Sequence, residues 1–136
     1  MTEQLTYGRA ATVDLNFQDA IERVRSLLKE QGFGVLCEID VAKTIKEKTG
    51  ADFRPYIILG ACNPQLAHRA LSAEAQLGLL LPCNVVVQVQ DGKTVVSAVD
   101  AQKMLDVGGN PELREVAQDA NAGLQAVIDR VATAAP

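Results

Sequence analysis

A chain of 136 residues that is 48% apolar can build one core without disulfides or a structural metal. Its net charge of −4, from 13 basic and 17 acidic residues, gives no electrostatic footprint for nucleic acid or an anionic membrane surface. Three cysteines are an odd number, and the start has no basic-then-apolar leader, so reduced thiols and a cytoplasmic protein are expected.

Residues 5–13 lean to β structure and are read as a first strand. Asn16 is placed to cap a helix whose apolar positions Phe17, Ala20, Ile21, Val24, Leu27 and Leu28 recur at helical spacing, with Gly32 to end it. Residues 33–39 read as a strand, and Asp40 as the cap of a short helix to about Lys48, closed by Gly50. After a loop, residues 55–59 read as a core strand. Asn63-Pro64 is a strong helix start, a side-chain cap followed by proline at the first helical position, for a helix to about Gln76.

Residues 77–87 are the longest apolar stretch, broken by Pro82 and Asn84 and too short to span a bilayer. Within and after it, residues 83–90 read as a strand with Val85, Val87 and Val89 on one face. Asp91-Gly92 is the strongest hairpin signal, returning residues 93–99 antiparallel. Asp100 caps a short helical turn to Leu105. Asn110-Pro111 then repeats the cap-plus-proline start for a final helix with Leu113, Val116, Ala117, Ala120, Leu124, Val127, Ile128 and Val131 on one stripe. The whole reads as one α+β domain over 1–136. It has a single mixed sheet of about five strands, helices mainly on one face, a C-terminal hairpin and a long C-terminal helix.

Chemistry concentrates in a dipeptide used twice, Cys62-Asn63 and Cys83-Asn84, each beside a buried apolar run. Cys62 precedes a helix N-terminus, whose free N–H groups and dipole favour an anion and lower a neighbouring thiol's pKa. Against that, a small buried residue in a tight strand-to-helix turn is the commoner role for cysteine. His68, the one histidine, falls on the polar side of its helix with Gln65, Arg69 and Ser72, six residues from Cys62, so the two do not meet automatically. The spacings among Cys37, Cys62, His68 and Cys83 match no close-packed metal knuckle, and Cys37, inside a strand, is expected to pack.

About 20 residues and a helix separate the two Cys-Asn pairs, long enough for a parallel crossover. Parallel strands would put the pairs at opposite sheet edges, so one shared site within a chain is the minority expectation unless a dimer joins them. Glu38 and Asp40, two apart at a strand end, could do acid–base or metal work as paired carboxylates, but the favoured reading is Asp40 as a helix cap and Glu38 bonded locally or to a lysine. Lys43, Lys46 and Lys48 are read as a solvated face. Gly108-Gly109 lacks the order of a phosphate loop.

The run Tyr56-Ile57-Ile58-Leu59-Gly60-Ala61-Cys62-Asn63-Pro64 and the run Leu79-Leu80-Leu81-Pro82-Cys83-Asn84-Val85-Val86-Val87 resemble the signature blocks of domain-of-unknown-function family 302 (DUF302). Residues 33–50, with Glu38, Asp40, Lys46 and Lys48, resemble an earlier block, and the likeness spans about residues 10–132. The resemblance implies a compact α+β domain working as a homodimer and brings no established reaction. The expectation is therefore a binding module rather than an enzyme. Its small-molecule ligand or cofactor (haem, a metal ion or an anion) would lie near the Cys62-Asn63-Pro64 helix start, with Cys62, Asn63, His68, Cys83 and Asn84 as candidate binding residues. The alternatives are thiol redox or sulfur handling through Cys62 or Cys83, and a purely structural or partner-binding domain.

Overall fold

The structure, a computed structural model, describes residues 2–135. Six strands form one sheet: β1 (Thr2–Gln4), β2 (Gly8–Val13), β3 (Gly34–Asp40), β4 (Tyr56–Cys62), β5 (Cys83–Gln90) and β6 (Lys93–Val99). Their spatial order is β1-β2-β6-β5-β4-β3. The α+β class, the single sheet and the C-terminal hairpin hold. The sheet differs from expectation in being antiparallel at every pairing; the strand expected over residues 5–13 starts at Gly8 as β2, and an unexpected strand, β1, precedes it.

The helices are α1 (Phe17–Glu30), α2 (Val41–Thr49), α3 (Pro64–Ala73), α4 (Ala101–Leu105) and α5 (Arg114–Ala132). Their starts follow the caps expected from sequence. Asn16, Asp40, Asn63 and Asp100 each accept the backbone N–H of the third residue on, satisfying a donor that the first turn leaves free. Asn110-Pro111 opens a 3₁₀ turn, Pro111–Leu113, that leads into α5.

Helices α1 and α5 pack on each other and on one sheet face. Leu27, Leu28, Val127 and Ile128 of the helices meet Leu59, Val85, Val87 and Val96 of the strands, and all are fully buried. Gly123 is where α5 comes closest to Phe33; a Cβ there would lie 2.8 Å from the ring. A second, smaller cluster joins α3, α4 and the start of α5 through Ala70, Leu77, Leu105, Leu113, Val116 and Ala117. Leu77 belongs to the 3₁₀ turn Ala75–Leu80, so the long helix expected to Gln76 instead ends at Ala73. Glu38 pairs with Arg25 of α1, an exposed pair worth little to stability. No helix among the described residues is long and apolar enough to cross a membrane.

Candidate functional site

The β4–β5 pairing positions the site. Ala61 stands opposite Cys83, and Gly60 opposite Asn84. The strands are antiparallel, so the end of β4 and the start of β5 share one sheet edge, and both Cys-Asn pairs arrive there within a single chain. This overturns the expectation of a parallel crossover. The reason is that α3 and the 3₁₀ turn lie beyond the sheet edge, against α4 and α5, and return the chain to the side it left.

At that edge a cavity of about 290 Å³ opens between the two hydrophobic clusters. Phe33, Ala61 and Ala120 come from the larger cluster, and Ala70, Leu105 and Val116 from the smaller. Cys62 and Cys83 both line it, and Asn63 contributes an amide. The Asn63 side-chain oxygen is occupied as the cap, accepting the Leu66 N–H at 3.2 Å. Leu36 and Leu71 stand at the wall yet are 69% and 40% exposed, giving the mouth an apolar rim. Leu79, beside the lining Gly78, is 83% exposed.

Burial pushes the Cys62 thiol above its ordinary pKa. Burial, with added repulsion from Cys62, pushes Cys83 up to about 11. Both groups are therefore thiols at neutral pH. The walls are apolar and carry no cationic side chain among the described residues to favour a thiolate.

The other candidates lie elsewhere. His68 is exposed on α3 and is not on the cavity wall. Asn84 is exposed, one residue out of phase with the inward-facing Cys83, Val85 and Val87. Cys37, expected to pack, is exposed instead: β3 is an edge strand, and its register shifts between Val35 and Cys37. The Cys37 sulfur lies over Gly60, where a Cβ would stand 2.5 Å from it and 2.9 Å from Pro82 Cγ. Among the described residues no group of three or more His, Cys, Asp or Glu is gathered to hold a metal.

Leu36, Leu66, Ala67, Ala70 and Val116 line the site but carry no chemical signal in the sequence. Their one legible trait is size. Ala67, Ala70 and Ala120 put methyl groups on helix stripes where larger side chains would have filled the space. A more polar hollow of about 310 Å³, flanked by α4 and α5, carries Lys103, Asp106 and Arg114, all exposed; the Lys103 ammonium is engaged by the Thr6 carbonyl at 2.7 Å.

The family model for "Domain of unknown function DUF302" matches residues 9–131. The chain belongs to the DUF302 family. Its fold is that of the crystal structure of an uncharacterized conserved DUF302 protein from Bacillus stearothermophilus, with a TM-score of 0.87 and 34% identity over 93% of this chain and 99% of that one. No functionally curated protein matches the chain. The two runs that carry the resemblance lie within the matched residues, on β4 with the α3 start, and on the chain from the end of the 3₁₀ turn into β5. These are the two segments that carry both cavity thiols.

Proposed function

We propose that this DUF302 protein is a small-ligand-binding module whose ligand is a compact apolar molecule held between α3, α5 and the β4–β5 edge. One observation carries the reading: the cavity of about 290 Å³ is walled by aliphatic and aromatic side chains, with two neutral thiols and one amide as its polar side chains. An apolar cavity of about 150 Å³ holds benzene, so this volume suits a ligand of about a dozen non-hydrogen atoms. His68 is not on the wall, so it offers a haem no axial ligand there.

Catalysis is disfavoured on the same wall. Among the described residues it holds no carboxylate, imidazole or amine to move a proton. The thiol-redox reading needs a thiolate near neutral pH, and burial works against one at both cysteines. Thermal melting with 1-naphthol as probe tests the binding reading: a rise in Tm that grows with probe concentration supports it, and an unchanged Tm at saturating probe removes it.

A homodimer is part of the proposal. Ile39, Ile58 and Val86 are cross-strand partners on the sheet face opposite α1 and α5. Ile39 is 46% exposed and the other two are half-buried. Such a row can meet its own copy about a two-fold axis. Light scattering on Ile58→Lys checks this: conversion of a dimer to a monomer supports it, and a monomeric parent chain contradicts it.

A further inference from the structure

The Asn63 amide has two ends, and the helix start uses only one of them. Its Oδ1 accepts the Leu66 N–H at 3.2 Å and caps α3. Only the oxygen can accept, so the cap fixes which end of the amide is which and turns Nδ2 the other way. That end lies beside Gly32, where a Cβ would stand 3.1 Å from Nδ2. The β3–β4 ladder sets this approach: Gly34 faces Cys62, so the residues just before Gly34 run alongside Asn63. Phe33, between the two glycines, lines the cavity, as do Asn63 and Leu66.

Nδ2 has no partner of its own. Among the described residues no protein atom accepts its hydrogens, and no fully buried side-chain nitrogen or oxygen lacks a partner. The Nδ2 donors are therefore open to a bound molecule rather than sealed within the wall.

We infer that Asn63 Nδ2 is the polar recognition point of the cavity, and that the ligand is an uncharged carbonyl compound, an apolar body whose one carbonyl oxygen sits at the Asn63 end. The inference rests on the cavity being a binding site, as proposed above, and names the chemical class that it takes.

Charge is the first argument. The wall carries no Lys, Arg or His among the described residues, so a carboxylate or phosphate would enter without a counter-ion. Donor type is the second. Of the polar side chains on the wall, Cys62 and Cys83 hydrogen-bond weakly, which leaves the Asn63 amide as the one strong donor. A hydrocarbon that displaced water from Nδ2 would leave that donor unpaired. The absence of a free acceptor is the third. Oδ1 is engaged by Leu66, so a hydroxyl ligand would bring a proton that only sulfur is left to receive among the wall's side chains. A carbonyl oxygen accepts and brings no proton.

The test is NMR of the isotope-labelled whole chain, with the Asn63 side-chain amide assigned through its backbone. The probes are 1-tetralone and tetralin, the hydrocarbon with the same ring frame. The Asn63 NH2 proton signals should move downfield as 1-tetralone saturates the chain and stay in place with tetralin. Shifts of the Leu66 and Val116 methyl signals give both Kd values. Asn63→Asp keeps a capping oxygen and should keep the parent's urea midpoint, but it removes the donor. Its ratio of tetralin Kd to 1-tetralone Kd should fall on the order of tenfold. 1-Naphthoate, an anion of similar frame, should bind the parent chain about tenfold more weakly than 1-tetralone, or worse.

Unmoved Asn63 signals at saturating 1-tetralone overturn the inference, and this result depends on no variant folding. An equal ratio in parent and Asn63→Asp overturns it too, as does 1-naphthoate binding as tightly as 1-tetralone. Binding of both ring probes without an Asn63 shift removes the carbonyl class alone and leaves the apolar cavity reading standing. Binding of neither, with no effect of 1-naphthol, removes that reading and this inference with it.

Discussion

Ala61 faces Cys83 across the antiparallel β4–β5 ladder, and that pairing brings Cys62 and Cys83 to one cavity wall. A parallel arrangement would have separated them by the length of the strands, on the order of 20 Å. The two sulfurs that carry the strongest chemical signal in the sequence thus share an apolar site within a single chain, and no second copy is needed to join them.

Cys83 ties stability to pH. Its thiol is held up to about 11 in the folded chain, above the ordinary thiol range that the unfolded chain regains. The folded state therefore keeps a proton that the unfolded state loses first. The contribution is full below about pH 8.5 and is lost as pH rises toward 11, up to about 3 kcal/mol in all. Urea midpoints from pH 7.5 to 10.5 should fall, and the fall should be shallower in Cys83→Ala. Parallel curves for the two proteins would refute the assignment.

The three thiols should alkylate in a fixed order. Cys37 is exposed, Cys62 half-buried with its thiol raised, and Cys83 buried with its thiol raised furthest. Iodoacetamide at pH 7.5, followed by peptide mass mapping, should modify Cys37 first and Cys83 last. A thiol held up to about 11 instead of the ordinary value near 8.5 has its thiolate fraction lowered roughly 300-fold relative to the unfolded chain, before access is counted. Early modification of Cys83 in folded protein would contradict the burial described.

The two asparagines of the paired dipeptides should behave differently. Asn63 caps α3, and Asn63→Ala should cost about 1 kcal/mol in the urea midpoint. Asn84 is exposed on β5, and Asn84→Ala should stay within about 0.5 kcal/mol. Equal costs would mean that the second asparagine has a structural role beyond its place on the strand.

Gly60 should tolerate no side chain. An added Cβ meets the Cys37 sulfur at 2.5 Å and Pro82 at 2.9 Å. Gly60→Ala should destabilise by about 1–3 kcal/mol. Adding Cys37→Ala should recover part of this, because the sulfur is removed while the proline ring stays. A double variant no more stable than Gly60→Ala would show that the clash lies elsewhere.

Much of this was legible before the coordinates. Asn16, Asp40, Asn63 and Asp100 announce four helix starts because a capping side chain acts through its own neighbours. Asp91-Gly92 announces the β5–β6 hairpin for the same local reason. The direction of β4 against β5 was not legible, because a connection of some 20 residues with a helix permits either sense. The exposure of Cys37 was hidden too: an edge strand and a central one read alike until their neighbours are known. The cavity was least visible of all. Ala67, Ala70 and Ala120 read as ordinary core positions, and only the assembled walls show that three methyl groups leave a space.

Occupancy of that space is the central claim, and the fluorescence of 1-naphthol measures it most directly, since the chain has no tryptophan to interfere. Burying roughly 200–250 Å² of probe at about 25 cal/mol per Å² gives about 5–6 kcal/mol, a Kd on the order of 0.1 mM. The parent chain should bind one probe with that affinity. Ala67→Phe, which fills the cavity from α3, should abolish binding while the fold stays intact by circular dichroism. Equal binding by parent and Ala67→Phe, or no binding by either, would contradict the account.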